Sequence, residues 1–323
     1  MKAGLYVVLG LVVLLVVTVQ FLAAKRERGA AAAFPPTGQI IDVDGVGVHA
    51  VQMGQGPDLV LIHGASGNTR DFTFAFADLV KDRYRVTIVD RPGLGWTEQI
   101  APDHKAAWST GHADPKEQAR LLKAATDKMG VENPIVLGHS FGGIVALAWA
   151  VEFDDLAGLV SVAGVANPWP GELDWTYRVN GSAWGGGLVV PVLSAFVPAG
   201  YIDDVVSNIF APQTAPEGYI EHVGPALILR RASMRANARQ VNWLRPFVVG
   251  LSQRYGEIAV PVEVVHGDAD TIVPLDVHSA KLPGQIKGAN VTVLPGVGHM
   301  PQHTNASDVI AAIDRVAERA GLR

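Results

Sequence analysis

Six short apolar runs recur along this chain without any in-out alternation: LVLI at Leu59, RVTIV at Arg85, PIVLG at Pro134, LVSV at Leu159, VEVV at Val262 and VTVL at Val291. Strands read this way when both of their faces are covered, because neither face meets water. Stretches with helical spacing lie between several of them, notably Pro115 to Met129, Phe141 to Ala150 and Ser307 to Arg319. Strand and helix in alternation dictate an α/β chain with a mostly parallel sheet and helices on both faces. Upstream, IIDVDGVGVHAVQMG alternates around Asp44-Gly45 and predicts an antiparallel hairpin that opens the fold.

One interval breaks the rhythm. About ninety residues, from Trp169 to Tyr255, separate the strand at Leu159 from the strand at Val262, too many for a loop. The interval holds Trp169, Trp175, Trp184 and Trp243, the run Gly185-Gly186-Gly187 and apolar segments such as LVVPVLSAFV, and it predicts a mainly helical insertion. The division expected is an anchor and linker over 1–33, a core over 34–168 plus 256–323, and an insertion over 169–255.

The amino terminus carries its own constraint. Leu5 to Ala24 has no charged residue and, as a helix, would reach roughly 30 Å, the thickness of one hydrocarbon core. A cleaved signal peptide is the competing reading, but such apolar cores run about 7 to 15 residues and Leu22-Ala23-Ala24 is a poor cleavage site. The expectation is therefore a single-pass anchor about 5–24, followed by an alanine-rich linker to Pro36. Lys25, Arg26 and Arg28 exceed Lys2 and the terminal amine by one charge, a lean towards a cytoplasmic body that does not decide the side.

A net charge of -5, with no long Lys/Arg stripe in the body, excludes the electrostatic footprint of a nucleic-acid binder. With no cysteine there is no disulfide, thiolate nucleophile or cysteine-bound metal. His104, His112, His222, His278 and His303 show no paired metal-ligand spacing, so neither a metal nor a cofactor is expected. The sequence does not speak to oligomeric state.

In IVLGHSFGGIVALAW, Ser140 stands between glycines, after a predicted strand and before a predicted helix. That turn projects a serine oxygen from the carboxyl edge of a sheet, and small neighbours relieve its crowding. A serine hydroxyl needs a base, and the base needs an orienting carboxylate. HGDADTIVP follows the strand at Val262 and PGVGHM follows the strand at Val291. Both place the needed residue types just beyond predicted strand ends, in the chain order Ser, Asp, His.

HGASGN at His63, DRPGLGWT at Asp90, GHSFGG at Gly138, GDADTIVP at Gly267 and GVGHMP at Gly296 occur in register, and from about Phe34 onward the chain resembles an α/β-hydrolase with a cap. The resemblance implies a catalytic triad of Ser140, Asp270 and His299, with Asp270 rather than Asp268 on the acid position of G-x-x-D-x-x-x-P. It also implies an oxyanion hole from the N–H groups of Ala65 and Phe141. His63 is expected to shape its loop, and the DRPGLG segment to be a structural turn. Thr304 departs from the glutamate that many members carry after G-H-x-P.

Relatives on this fold that open epoxides or displace halide place an aspartate at position 140, so serine implies acyl chemistry on a small, apolar ester-type substrate. Carbon–carbon bond hydrolysis and cofactor-free perhydrolysis run on the same triad and stay open. So does a non-enzymatic reading as a small-molecule receptor or binding module.

Overall fold

The computed structural model describes residues 2–323. Eight strands form one sheet: β1 (Gln39–Val43), β2 (Val46–Met53), β3 (Asp58–Ile62), β4 (Arg85–Val89), β5 (Ile135–His139), β6 (Gly158–Val162), β7 (Val262–Gly267) and β8 (Asn290–Leu294). They lie in the order β1-β2-β4-β3-β5-β6-β7-β8. The hairpin turns at Asp44-Gly45, both at positive φ, and β2 pairs antiparallel with β1 and β4. All remaining pairings are parallel.

Burial explains the apolar runs of β3 to β7; β8, at the sheet edge, departs from the expectation, with Val293 exposed. Along β3, Leu59 and Leu61 face one core while Val60 and Ile62 face the other. The first core is closed by α2 (Arg70–Thr73), α3 (Phe76–Val80) and the terminal helix α14 (Ala306–Arg319). The second is closed by α4 (Pro115–Lys128) and α5 (Phe141–Glu152). A capping box starts α4: the Asp114 carboxylate accepts from the Glu117 N–H, and the Glu117 side chain accepts from the Asp114 N–H.

Between β6 and β7 come α6 (Trp175–Gly181), a π-helical turn at Gly185–Val189, α7 (Val190–Phe196), α8 (Ala199–Phe210), α9 (Tyr219–Val223), α10 (Arg231–Asn242) and α11 (Leu244–Ser252). This insertion contains no strand. After it, α12 (Leu282–Gln285) precedes β8, and α13 (Pro301–Thr304) precedes α14.

One expectation needs correction. Residues 25–33, expected as a linker separate from the apolar helix, continue α1, a single helix from Lys2 to Ala33. Alanine is the strongest helix former, and this stretch also docks: Glu27 pairs with Arg231 of α10 at 2.7 Å, and Ala30 is buried.

Strand order also locates the site. After β3 the chain moves to β4 on one side, then crosses back to β5 on the other, so a crevice opens beyond the ends of β3 and β5. There α5 passes so close to β3 that a Cβ on Gly142 would overlap the Ile62 carbonyl oxygen. Gly142→Ala should therefore cost about 1–3 kcal/mol in chemical denaturation. Gly250→Ala, at an open position within α11, should instead stabilise by about 0.5–1 kcal/mol. Equal effects at the two positions would show that crowding at the turn is unimportant.

Candidate active site

Ser140 sits between β5 and α5 with φ +54° and ψ -118°, a strained conformation for a residue with a side chain. Glycines make the turn feasible: a Cβ on Gly138 would overlap the Gly142 carbonyl. Gly64, in the loop after β3, lies hard against the serine, where a Cβ would stand 2.9 Å from the Ser140 Cβ. The Ser140 side chain is thus aimed into the crevice beside the residue 63–67 loop.

Two peptide units face this point, and their carbonyls fix them. The Ser140 carbonyl accepts from the N–H groups of Gly143 and Val165, each at 3.0 Å. The Gly64 carbonyl accepts from His63 Nδ1–H at 2.9 Å and from the Arg91 guanidinium at 3.0 Å. Both peptides are trans, so the N–H groups of Phe141 and Ala65 point the opposite way. Neither N–H makes a hydrogen bond among the described residues.

Asp270 and His299 meet at the ends of β7 and β8, with His299 Nδ1 2.7 Å from Asp270 Oδ2. The other Asp270 oxygen accepts from the N–H groups of Ile272 and Val273, both at 2.9 Å. His266 Nε2–H donates to the Val273 carbonyl at 2.7 Å and lies 3.2 Å from Asp270 Oδ2. Burial alone would raise the Asp270 pKa, but hydrogen bonds from His266 and His299 outweigh it and hold the group well below the usual carboxylate range. Asp268 stands aside and accepts from the Gly296 N–H at 2.6 Å.

His139 brings the two halves together. Its Nε2–H donates to the His299 carbonyl at 2.9 Å, and its ring centroid is 5.0 Å from that of His299. The residue before Ser140 thus touches His299, while Ser140 Oγ makes no hydrogen bond to His299 among the described residues. Such bonds are often long before substrate binds.

Comparison with known proteins identifies the fold family. The family model for the alpha/beta hydrolase fold matches residues 57–306. The chain belongs to the α/β-hydrolase family. A 2-hydroxy-6-oxo-6-phenylhexa-2,4-dienoate hydrolase from Comamonas testosteroni is 24% identical over 288 residues, which covers 84% of this chain and 92% of that enzyme. The esterase RhEst1 from a Rhodococcus species superposes with a TM-score of 0.65 at 20% identity, over 87% of this chain and 98% of the esterase. A bacterial membrane phospholipase A superposes with the same TM-score at 21% identity, over 98% of this chain and 99% of the phospholipase. The two structural likenesses are likenesses of fold.

In this hydrolase several site residues were not legible as such in the sequence. Arg91 is fully buried without a carboxylate partner. It donates to the carbonyls of His63 and Gly64 and to the side-chain oxygens of Gln118 and Gln240, and stacks 4.0 Å from the Phe141 ring centroid. Burial lowers its pKa to about 9, which leaves it charged at neutral pH. His63 shapes the loop as expected, its Nε2 accepting from the Arg91 N–H at 3.0 Å.

A second buried histidine–carboxylate contact joins His303 Nε2 to Asp71 at 2.8 Å, and the Tyr219 hydroxyl donates to the same carboxylate oxygen at 2.7 Å. The insertion also reaches the loops directly. Asn237 accepts from the Ser66 N–H at 2.7 Å, and Gln213 bonds the Gly296 carbonyl and the Gly298 N–H at 2.7 and 2.9 Å.

Two predictions follow from these burials. Lysine cannot serve four acceptors in the plane of a guanidinium, so Arg91→Lys should lose about 2–4 kcal/mol in denaturant titration. A change within 0.5 kcal/mol would contradict the role given to the fork. Desolvation lowers the pKa of His63, His139 and His278 to about 4 in each case. Since an unfolded imidazole titrates near 6.5, the stabilisation is complete above that pH and is lost as pH falls towards 4. Unfolding free energy should be flat between pH 8 and 7 and fall below that, as the pH is lowered towards 4, by up to about 4 kcal/mol per pH unit, the limit for three protons. A profile flat down to pH 4.5 would contradict the neutral, buried assignment.

Proposed function

We propose that this hydrolase is a membrane-anchored serine hydrolase that cleaves esters with an apolar acyl or aryl group. Ser140 is the nucleophile, His299 the general base and acid, Asp270 its orienting carboxylate, and the N–H groups of Ala65 and Phe141 the oxyanion hole. The observation that carries the reading is the 2.7 Å bond between His299 Nδ1 and Asp270 Oδ2, at the same sheet edge as a serine held at φ +54°.

In the proposed reaction Ser140 Oγ attacks the substrate carbonyl while His299 Nε2 takes its proton. The carbonyl oxygen becomes an oxyanion between the two peptide N–H groups, and the imidazolium is stabilised by Asp270. Collapse expels the alcohol, protonated by His299, and leaves an acyl-Ser140. Water, deprotonated by His299, then releases the acid. The carbonyl clamps on the donor peptides support this reading, because preorganised dipoles need not reorient as charge develops.

The anchor belongs to the same proposal. Continuity of α1 into residues packed on the insertion supports a retained helix over a cleaved leader. The likeness to a membrane phospholipase A, extending over 98% of this chain, points the same way. Carbon–carbon bond hydrolysis is the second reading, favoured by the Comamonas testosteroni dienoate hydrolase among the relatives.

Fluorophosphonate labelling followed by peptide mapping tests the nucleophile. Modification should be confined to the Ser140 peptide, and Ser140→Ala should abolish it while lowering p-nitrophenyl ester turnover by roughly 10⁴-fold or more. Asp270→Asn should lose roughly 10³- to 10⁴-fold. Unchanged ester turnover by Ser140→Ala would refute the mechanism. Turnover of a vinylogous diketone far above that of any ester, with Ser140 still required, would select the second reading.

A further inference from the structure

We infer that the outer face of α7 and the π-helical turn before it is seated in the lipid bilayer, so that the insertion over the active-site loops is a membrane-inserted element. This rests on the proposed reading of α1 as a transmembrane anchor.

The argument begins with length. A hydrocarbon core of about 30 Å needs about 20 helical residues at about 1.5 Å each. The apolar part of α1 begins at Leu5, and the helix carries no buried residue until Val19. The segment from Leu5 to Thr18 therefore spans only about 21 Å, well short of a bilayer core. The span is completed only if Val19 to Ala24 also lies in hydrocarbon. Those residues are where the body of the protein docks: Val19 and Ala23 are buried against Ala195 of α7. One turn further on, Arg26 donates to the carbonyls of Ser194 at 3.4 Å and Val197 at 3.0 Å. With Val19 to Ala24 needed to complete the span, these contacts carry α7 to the edge of the bilayer.

The chemistry of α7 fits that position. From Val179 to Ile202 there is no charged residue over 24 positions. Within this stretch Trp184, Leu188, Val192 and Phe196 are 73%, 53%, 45% and 55% exposed. Trp184 meets Trp108 edge-on at 5.5 Å between ring centroids, and Trp108 is itself half exposed, a pairing suited to a headgroup boundary. The segment does not cross the bilayer as one straight helix, since Trp175–Gly181 and Gly185–Phe196 meet at 86°. An apolar face this large is rarely left to water, and lipid already surrounds the helix against which it packs. After Lys2 at its start, the next basic side chains of α1 are Lys25 and Arg26, at the end of the contact.

The absence of native cysteine makes the test direct. Full-length single-cysteine variants Trp184→Cys, Val192→Cys and Phe196→Cys would carry the fluorophore NBD. The control is Val293→Cys, at an exposed position on the edge strand β8. All four are reconstituted into phosphatidylcholine–phosphatidylglycerol vesicles, with native-like circular dichroism and thermal unfolding required of each. The three α7-side probes should emit at shorter wavelength than the control, be quenched at least twofold by doxyl-labelled lipid, and resist aqueous iodide. Iodide quenching of all three to the level of position 293, in protein that stays in the membrane after a carbonate wash, would overturn the inference and leave the anchor standing. Release of the protein by the wash would overturn both. Iodide protection without lipid quenching, accompanied by disulfide cross-linking between copies, would overturn the inference in favour of a second copy of this chain.

Discussion

Everything at the crevice depends on two carbonyl groups that face away from it. The carbonyls of Gly64 and Ser140 are each held by two strong donors, and a trans peptide fixes its N–H opposite its C=O. The direction of the two free N–H groups is therefore set by contacts made behind them, out of reach of substrate and solvent. Arg91 is the hub. Its guanidinium bonds the loop after β3, Gln118 of α4 and Gln240 of α10, while its face rests on the Phe141 ring. A buried cation without a carboxylate partner is stable only while all its acceptors are in place. The core, the loop and the insertion must consequently assemble together for any of them to be satisfied.

The same principle organises the contact between Asp270 and His299. Asp270 receives two backbone N–H groups on one oxygen, and on the other it meets His299 and the flank of His266. Loading the carboxylate in this way outweighs the burial that would protonate it, so it faces His299 as an anion. His139, the residue before Ser140, then donates to the backbone carbonyl of His299. Two strand ends separated by β6 and β7 in the sheet are thereby held in register by a neutral imidazole.

How much of this could be read in the sequence follows from where each partner lies. The inner strands were legible because double-sided burial leaves continuous apolar runs, and the hairpin because Asp44-Gly45 advertises its own turn, whereas β8 carries an apolar run without such burial. Ser140, Asp270 and His299 could be placed at one sheet edge because each stands within five residues of a strand end, inside a short motif. Arg91 stood in a recognised motif, yet its partners are backbone carbonyls and a glutamine 149 residues away, which no local pattern announces. The pairing of Asp71 with His303 crosses 232 residues, and its third member comes from the insertion. Alanine-rich composition after the apolar span suggested a linker, because low complexity was weighed above helix propensity and the ion pair that pins the segment had no local signature.

The run Gly185-Gly186-Gly187 invites the idea of a hinge in the insertion, and its surroundings argue otherwise. All three glycines are buried. A Cβ on Gly185 would overlap the Val179 carbonyl, and one on Gly187 would press into the Trp108 ring at 2.6 Å. Arg235 of α10 also donates to the Gly186 carbonyl at 2.8 Å. These glycines allow α6, α7 and the Trp108 loop to approach closely, which is a packing role and one that opposes bending. Since α10 is bonded to the core through Asn237 and Gln240, and to α1 through Arg231, the insertion is braced on both sides. A helix built into that brace fixes the orientation of the whole body with respect to its own axis, so the direction in which the crevice faces is set by packing rather than by tether length.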